Sequence, residues 1–249
     1  YVPSFYQPEY VNNEFIELKR LNDFAPEEIK VRSCAELKPE CYPTKPLVPF
    51  VETSHDRLSV EIMRGCSRGC RFCQAGFQYR PKRNRKPADI TSQIQQSISS
   101  SGYGEVTLLS LSSTDYPGLE SLVESLMPYF RKNRLAFSLP SLRPGALTPK
   151  MLEFMQSQRH GGVTLAPEAG SQRLRDVLGK NLTEPEIIEA VKLVFRNDWP
   201  LVKLYFMVGL PTETDEDIDE IANLIRKLSD IAREFRGKRN INVTISPFC

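Results

Sequence analysis

The sequence predicts an α/β fold: a partial (βα)6 barrel with a parallel, curved sheet, preceded by an irregular N-terminal extension. Three observations predict it. From Leu58 onward, apolar strand-like runs alternate with helical stretches, the mark of repeated βα units. Six such strands and five helices fit into about 190 residues, and right-handed crossovers then force neighbouring strands to run parallel. A closed eight-strand barrel needs more chain than this, so an open, TIM-like arrangement is expected.

The elements follow in order. Residues 1–52 carry Pro3, Pro8, Pro26, Pro39, Pro43, Pro46 and Pro49 with little periodicity. Proline removes a backbone donor and fixes φ, so this stretch reads as an extended linker with at most one short helix near Pro26 to Lys30. Residues 53–249 form the core. Its first strand opens at Leu58 and runs into a loop bearing Cys66, Cys70 and Cys73. Ala88 to Ser101 reads as a helix, Glu105 to Leu111 as a buried strand, Leu119 to Phe130 as a helix and Leu135 to Leu139 as a strand. Thr148 caps a helix with Pro149 at its first position, running to about Ser157.

Gly162 to Ala166 is the fourth strand. Thr183-Glu-Pro-Glu is a capping box leading into the apolar stripe of Ile187, Ile188, Val191, Val194 and Phe195. Leu201 to Val208 is the fifth strand. Thr214 then opens a helix to about Arg236 whose acidic first turn suits the positive end of the helix dipole, and Asn242 to Ser246 is the sixth strand.

Composition narrows the function classes. With 33 basic and 31 acidic residues among 249, bulk charge makes no case for a nucleic-acid or membrane-surface partner. No apolar run approaches a bilayer span and no secretory leader is visible, so a cytoplasmic location and no membrane partner are expected. Clustered cysteines then favour metal binding over disulfides. The chain opens on Tyr1 rather than Met, as a piece of something longer would.

Three thiols in eight residues, with Gly69 among them and Gly65 just before, let a tight loop wrap its side chains around one inorganic centre. The spacing C-x3-C-x2-C supplies one thiolate fewer than an ordinary four-cysteine cluster or structural zinc site. A corner is left for another ligand. Cys34 and Cys41 lie six residues apart and fall short of a second such set; no role is assigned to them or to Cys249.

The stretch Cys66-Ser-Arg-Gly-Cys70-Arg-Phe72-Cys73 resembles the signature of the radical S-adenosylmethionine (radical SAM) superfamily, with Phe72 as its usual aromatic. The resemblance covers about His55 to Cys249. It implies a [4Fe-4S] cluster on Cys66, Cys70 and Cys73, with S-adenosylmethionine (SAM) on the open iron. Reductive cleavage of SAM then yields a 5′-deoxyadenosyl radical that abstracts hydrogen from a substrate, with an electron donor such as flavodoxin or ferredoxin.

Carried over by position, Ser112 and Ser113 fall where relatives hold the SAM amino group. Glu168, in the strand-four element Pro-Glu-Ala-Gly-Ser, falls where a carboxylate accepts the ribose hydroxyls, with Ser171 supporting it. Lys180 falls where relatives often have an arginine on the methionine carboxylate; lysine keeps the charge and loses the fork. Met207 and Val208 fall where apolar residues pack on adenine, and Gly209 allows close backbone approach.

Within the superfamily the wording looks closest to uncharacterised members with an N-terminal cobalamin-binding domain. No D-x-H-x-x-G cobalamin motif occurs in these residues, so the resemblance implies that any cobalamin is bound by a domain outside this chain. Two alternatives stay open: a tRNA methylthiotransferase-like enzyme, and a non-catalytic iron-sulfur or zinc RNA-binding module. The second would use the basic run Arg80-Pro-Lys-Arg-Asn-Arg-Lys86 as its RNA contact. His55 is assigned nothing, and His160 a structural place.

Overall fold

The computed structural model describes residues 5–28, 33–51, 53–155 and 161–248. The chain divides into two compact units at Ala35 and Glu36.

The first unit is a β-hairpin, β1 (Tyr6–Val11) paired antiparallel with β2 (Glu14–Arg20). Asn12 and Asn13 turn it with φ of 51° and 66°, the left-handed values that a two-residue hairpin turn requires and that asparagine tolerates. Tyr10 meets Phe15 across the strands with ring centroids 6.0 Å apart. An extended linker was expected because Pro8 counted as a breaker, but a two-stranded ribbon leaves each strand one free edge where a missing N–H costs no ladder bond. The short helix expected from Pro26 lies partly outside the described residues.

The second unit opens with an irregular segment that is pinned to the strands and helices after it. The Tyr42 hydroxyl donates to Glu61 Oε2 at 2.7 Å, the Tyr42 ring lies 3.6 Å from the Arg85 guanidinium, and Gln93 Nε2 donates to the Pro43 carbonyl at 3.1 Å. These contacts join Tyr42 and Pro43 to the strands and helices that follow.

From there the expected alternation is present. β3 (Leu58–Glu61) is followed by a small antiparallel ribbon, β4 (Met63–Arg64) with β5 (Arg83–Asn84), which encloses the cysteine loop and helix α1 (Gln74–Gln78). Then come α2 (Pro87–Ser101), β6 (Glu105–Leu109), α3 (Leu119–Asn133), β7 (Ala136–Ser138), α4 (Pro149–Phe154), β8 (Val163–Glu168), α5 (Gln172–Val177), α6 (Glu184–Arg196), β9 (Leu201–Val208), α7 (Asp215–Arg233) and β10 (Asn240–Pro247). Local chemistry sets the ends. Pro87 starts α2 and Gly102 stops it at φ 75°, while Thr183 and Glu186 close a capping box on α6. The expected continuation of α4 to Ser157 enters residues outside the described set, and His160 lies there too.

Six parallel strands form two half-sheets in chain order, β3-β6-β7 and β8-β9-β10. Among the described residues no ladder joins β7 to β8, so the barrel is partial. One core nevertheless spans both halves. Val60, Leu108 and Phe137 of the first, and Val163, Leu204 and Phe206 of the second, share it with Ile94, Phe130, Val191 and Leu228 from the helices. No described helix is long and apolar enough to cross a membrane. Within each half-sheet the strands run the same way, so their C-terminal ends and following loops gather on one side, where sites in such folds are built.

Candidate functional site

The loop after β4 carries the three cysteines. Gly65 turns into it at φ +82°, where a Cβ would stand 2.4 Å from the Tyr79 carbonyl oxygen and 2.7 Å from that of Pro81. Only glycine meets both conditions. Cys66 is buried and Cys70 and Cys73 are half-buried. The Arg68 N–H donates to Cys66 Sγ at 3.4 Å and the Gly76 N–H to Cys73 Sγ at 3.3 Å.

Both half-sheets strap this loop. On the first, Arg68 forms a forked ion pair with Asp115 beyond β6, its Nε 2.7 Å from Oδ2 and its Nη2 on Oδ1. Burial would raise the Asp115 carboxyl, and the Arg68 guanidinium, with the Ser112 hydroxyl and Arg143, offsets this and holds it below the usual carboxylate range. On the second, the Arg71 N–H donates to the Leu178 carbonyl at 2.8 Å and its guanidinium to the Val177 carbonyl at 2.7 Å. Neither Asp115 nor Arg71 was singled out from sequence; each finds its partner only through the fold.

Glu168 ends β8 at φ +72°, a left-handed backbone that a non-glycine residue adopts at a cost and that recurs at functional sites. Lys180 Nζ donates to Glu168 Oε1 at 2.9 Å, and both side chains are only 14% exposed. The same ammonium lies 5.7 Å from the Phe72 ring centroid. Cys70 feels two cations here: burial pushes its thiol up, and Lys180 and Arg143 oppose that shift. Phe72, Glu168 and Lys180, chosen on separate motifs, are thus brought together beside the cysteine loop.

The other candidates are placed differently. Ser171 caps α5, accepting the Leu174 N–H at 3.0 Å, and donates to Asp217 Oδ1 at 2.5 Å; its hydroxyl serves the α5–α7 junction. Ser112 and Ser113 are buried, the first bonded to Asp115 and the second to Ser110 Oγ at 3.1 Å, so both turn into the rim's own network. Met207 packs with Phe72 and Phe248 on a small cluster of Ala169, Leu174, Leu178 and Leu210, whereas Val208 packs on the main core. Gly209, at φ +81°, has open space where a Cβ would stand and donates its N–H to Glu213 Oε2 at 2.5 Å.

The basic run is divided between inside and outside. Arg85 is buried, Lys82 Nζ donates to the Asp115 carbonyl at 3.3 Å and Arg80 stacks 4.5 Å from the Phe77 ring centroid, while Lys86, 3.9 Å from Glu36, keeps its side chain 76% exposed. Cys34 and Cys41 are exposed, and Cys249 lies outside the described residues.

The donor set fits a cluster. Among the described residues no three cysteine, histidine or acidic side chains gather around the position of a single ion. A [4Fe-4S] cube spreads its ligands more widely, one per iron, and three thiolates fill three corners. Lys180 and Arg143 suit the negative charge of such a group. Below the loop, Met63, Gly65, Tyr79, Leu109 and Leu111 line a cavity of about 540 Å³.

Comparison with known proteins agrees with this architecture. The family model described as Radical SAM superfamily matches residues 60–225. "Uncharacterized protein MJ0966" of Methanocaldococcus jannaschii is 35% identical over 188 residues, covering 76% of this chain and 39% of that protein. The tRNA-2-methylthio-N(6)-dimethylallyladenosine synthase of Geobacillus thermodenitrificans is 26% identical over 190 residues, covering 73% of this chain and 36% of that protein. The chain therefore spans about two fifths of the length of these relatives. Among solved structures, the radical SAM methyltransferase TsrM of Kitasatospora setae, bound to tryptophan and a SAM analogue, superposes with TM-score 0.55 at 14% identity, over 70% of this chain and 34% of its own. Coproporphyrinogen III oxidase (HemN) of Escherichia coli does so with TM-score 0.51 at 13% identity, over 78% of this chain and 44% of its own. At such identities these two show a shared fold.

Proposed function

This chain belongs to the radical SAM superfamily, and from that membership we propose that it is the core of an enzyme that cleaves SAM reductively and passes the resulting radical to a substrate. The observation that carries the reading is the cysteine loop itself, strapped to both half-sheets at the rim of a partial parallel barrel, with the Glu168–Lys180 pair beside it. Cys66, Cys70 and Cys73 would hold a [4Fe-4S] cluster. When bound, the cluster and SAM together supply an electron transfer that splits SAM into methionine and a 5′-deoxyadenosyl radical able to take hydrogen from carbon.

The chain's own residues position and shield. Lys180 presents a cation for the methionine carboxylate. Glu168, with one oxygen on Lys180, keeps the other for ribose hydroxyls. Phe72 and Met207 exclude water from the loop's outer side, and the open space at Gly209 admits a flat ring close to the backbone. Ser112, Ser113 and Ser171 act through the network that holds Asp115 and Asp217 rather than by direct contact. Residues 53–249 serve as the catalytic core and 1–52 as its extension, the electron coming from a carrier protein such as flavodoxin or ferredoxin. Any cobalamin would be carried outside these residues; solved structures of TsrM and OxsB hold cobalamin, which supports that addition.

A second reading has one specific support, the likeness to the tRNA methylthio-adenosine synthases. It predicts that the hydrogen is abstracted from a carbon of a tRNA adenosine and that a sulfur-bearing group then takes its place. The deciding experiment is anaerobic: reconstitution with iron and sulfide, reduction with dithionite, addition of SAM, and detection of 5′-deoxyadenosine by mass spectrometry with Cys70→Ala as control. Product absent from the control supports the reading. A reconstituted cluster beside intact SAM overturns it.

A further inference from the structure

We propose that Arg143 is a positioning residue for SAM, acting through Lys180; the inference rests on the proposed radical SAM function. Arg143 follows β7, in the first half-sheet. Its Nη2 donates to the carbonyls of both Lys180 and Asn181, beyond α5 in the second. No strand ladder bridges β7 and β8 among the described residues, so this clamp ties the two halves where the cysteine loop meets them.

The clamped turn is left-handed at two positions: Gly179 and Asn181 have φ of 65° and 47°, values that glycine and asparagine adopt more readily than other residues. The turn is gripped from two directions. On one side it abuts the cysteine loop: a Cβ on Gly179 would stand 3.4 Å from the Gly69 carbonyl oxygen, and the Leu178 carbonyl accepts the Arg71 N–H at 2.8 Å. On the other side is Arg143. Lys180, between them, has its backbone carbonyl held by Arg143 and its ammonium held by Glu168 at 2.9 Å.

Both bonds come from one nitrogen, Nη2, whose two N–H groups serve the neighbouring carbonyls of Lys180 and Asn181. Removing the guanidinium frees a left-handed turn to relax, and the Lys180 ammonium moves with its backbone. A displacement of about an ångström at a binding group is enough to cost roughly a hundredfold in a reaction that depends on orientation. Arg143 is half-buried, and burial pushes its guanidinium below the ordinary arginine value. It stays cationic, and its charge reaches Cys70.

Two measurements test the proposal. Amide hydrogen exchange on the full chain compares wild type with Arg143→Gln. The expected result is exchange at Gly179, Lys180 and Asn181 faster by about tenfold in Arg143→Gln, with β9 unchanged. Unchanged protection of the turn overturns the clamp. The second measurement is SAM binding by equilibrium dialysis to the reconstituted protein, in a cycle of Arg143→Gln, Lys180→Gln and the double variant, with iron content as control. If Arg143 acts through Lys180, each single variant loses about tenfold in affinity and the double variant loses no more than either. Additive losses overturn the coupling, as does an Arg143→Gln variant that binds SAM like wild type. Loss of SAM binding in wild type would sink the functional reading instead, and hydrogen exchange would still decide the clamp.

Discussion

The two half-sheets build one rim by different means. In the first, β3, β6 and β7 have 4, 5 and 3 residues, and everything chemical sits on loops beyond them. In the second, β8, β9 and β10 have 6, 8 and 8 residues, and Glu168 and Val208 are the terminal residues of their strands. The difference follows from what each must present. Three sulfurs around one centre require a chain that doubles back, which no strand can do, so the first half uses short strands and secures the loop with side chains such as Arg68 on Asp115. A single carboxylate or a close backbone approach needs only a fixed strand end, and ladder bonds fix it. The first half is therefore expected to lose function without losing fold, and the second to lose both together.

The largest expected break in that comparison is Cys70→Ala. Iron uptake on reconstitution and 5′-deoxyadenosine formation should fall to background, while the thermal melt of the protein isolated without iron moves by no more than a few degrees. A melt that collapses would make the cysteine loop part of the fold rather than a load upon it.

Gly170→Ala is the counterpart in the second half. A Cβ there would stand 2.2 Å from the Ile221 backbone nitrogen, so α7 must move off the end of β8. Overpacking against rigid backbone should cost about 3 kcal/mol in urea unfolding, with iron uptake falling only in proportion to the folded fraction. A stability within 0.5 kcal/mol or so of wild type, the range of neutral surface changes, would mean that this junction is plastic.

Arg68→Gln sharpens the picture on the first side. It removes the fork on Asp115 and leaves the cysteines in place, so iron should be retained about tenfold less well during gel filtration, as for other groups that orient metal ligands. The unfolding midpoint should stay near that of wild type.

The smallest effect concerns acid. Arg173 and, against the opposing effect of burial, Ser171 and Thr214 hold the Asp217 carboxyl well below the usual carboxylate range. The sign follows: a carboxyl with a depressed folded pKa contributes stability that is whole above its unfolded value, about 3.9, and is lost as pH falls below that toward the folded value. Arg173 is about half exposed, so solvent screens the pair and the loss should be modest. Urea midpoints from pH 6 down to about pH 3 should fall less in Asp217→Asn than in wild type. Parallel slopes would remove Asp217 from the acid response.

Much of this was legible in the sequence, for identifiable reasons. Strands and helices from Leu58 on announce themselves by apolar period, and helix starts by caps such as Thr148 and Thr183. The hairpin at Tyr6 to Arg20 was also local, with Asn12-Asn13 as its turn, yet seven prolines in 52 residues obscured it. The basic run shows the converse. Its charge is visible in sequence, and the partners it meets, Tyr42, Asp115 and Glu36, are not.

What the sequence determined by itself is what short-range spacing encodes: the βα alternation, the caps, and three thiols close enough to share one centre. What only the tertiary structure decided is which side chains meet across long stretches of chain. Arg68 reaches Asp115 across 47 positions, Lys180 turns back to Glu168 across 12, and Arg143 crosses to Lys180 across 37. Periodicity is a property of the backbone and can be read along it. Pairings of this kind exist only once folding has closed the intervening chain and brought both ends to the same rim.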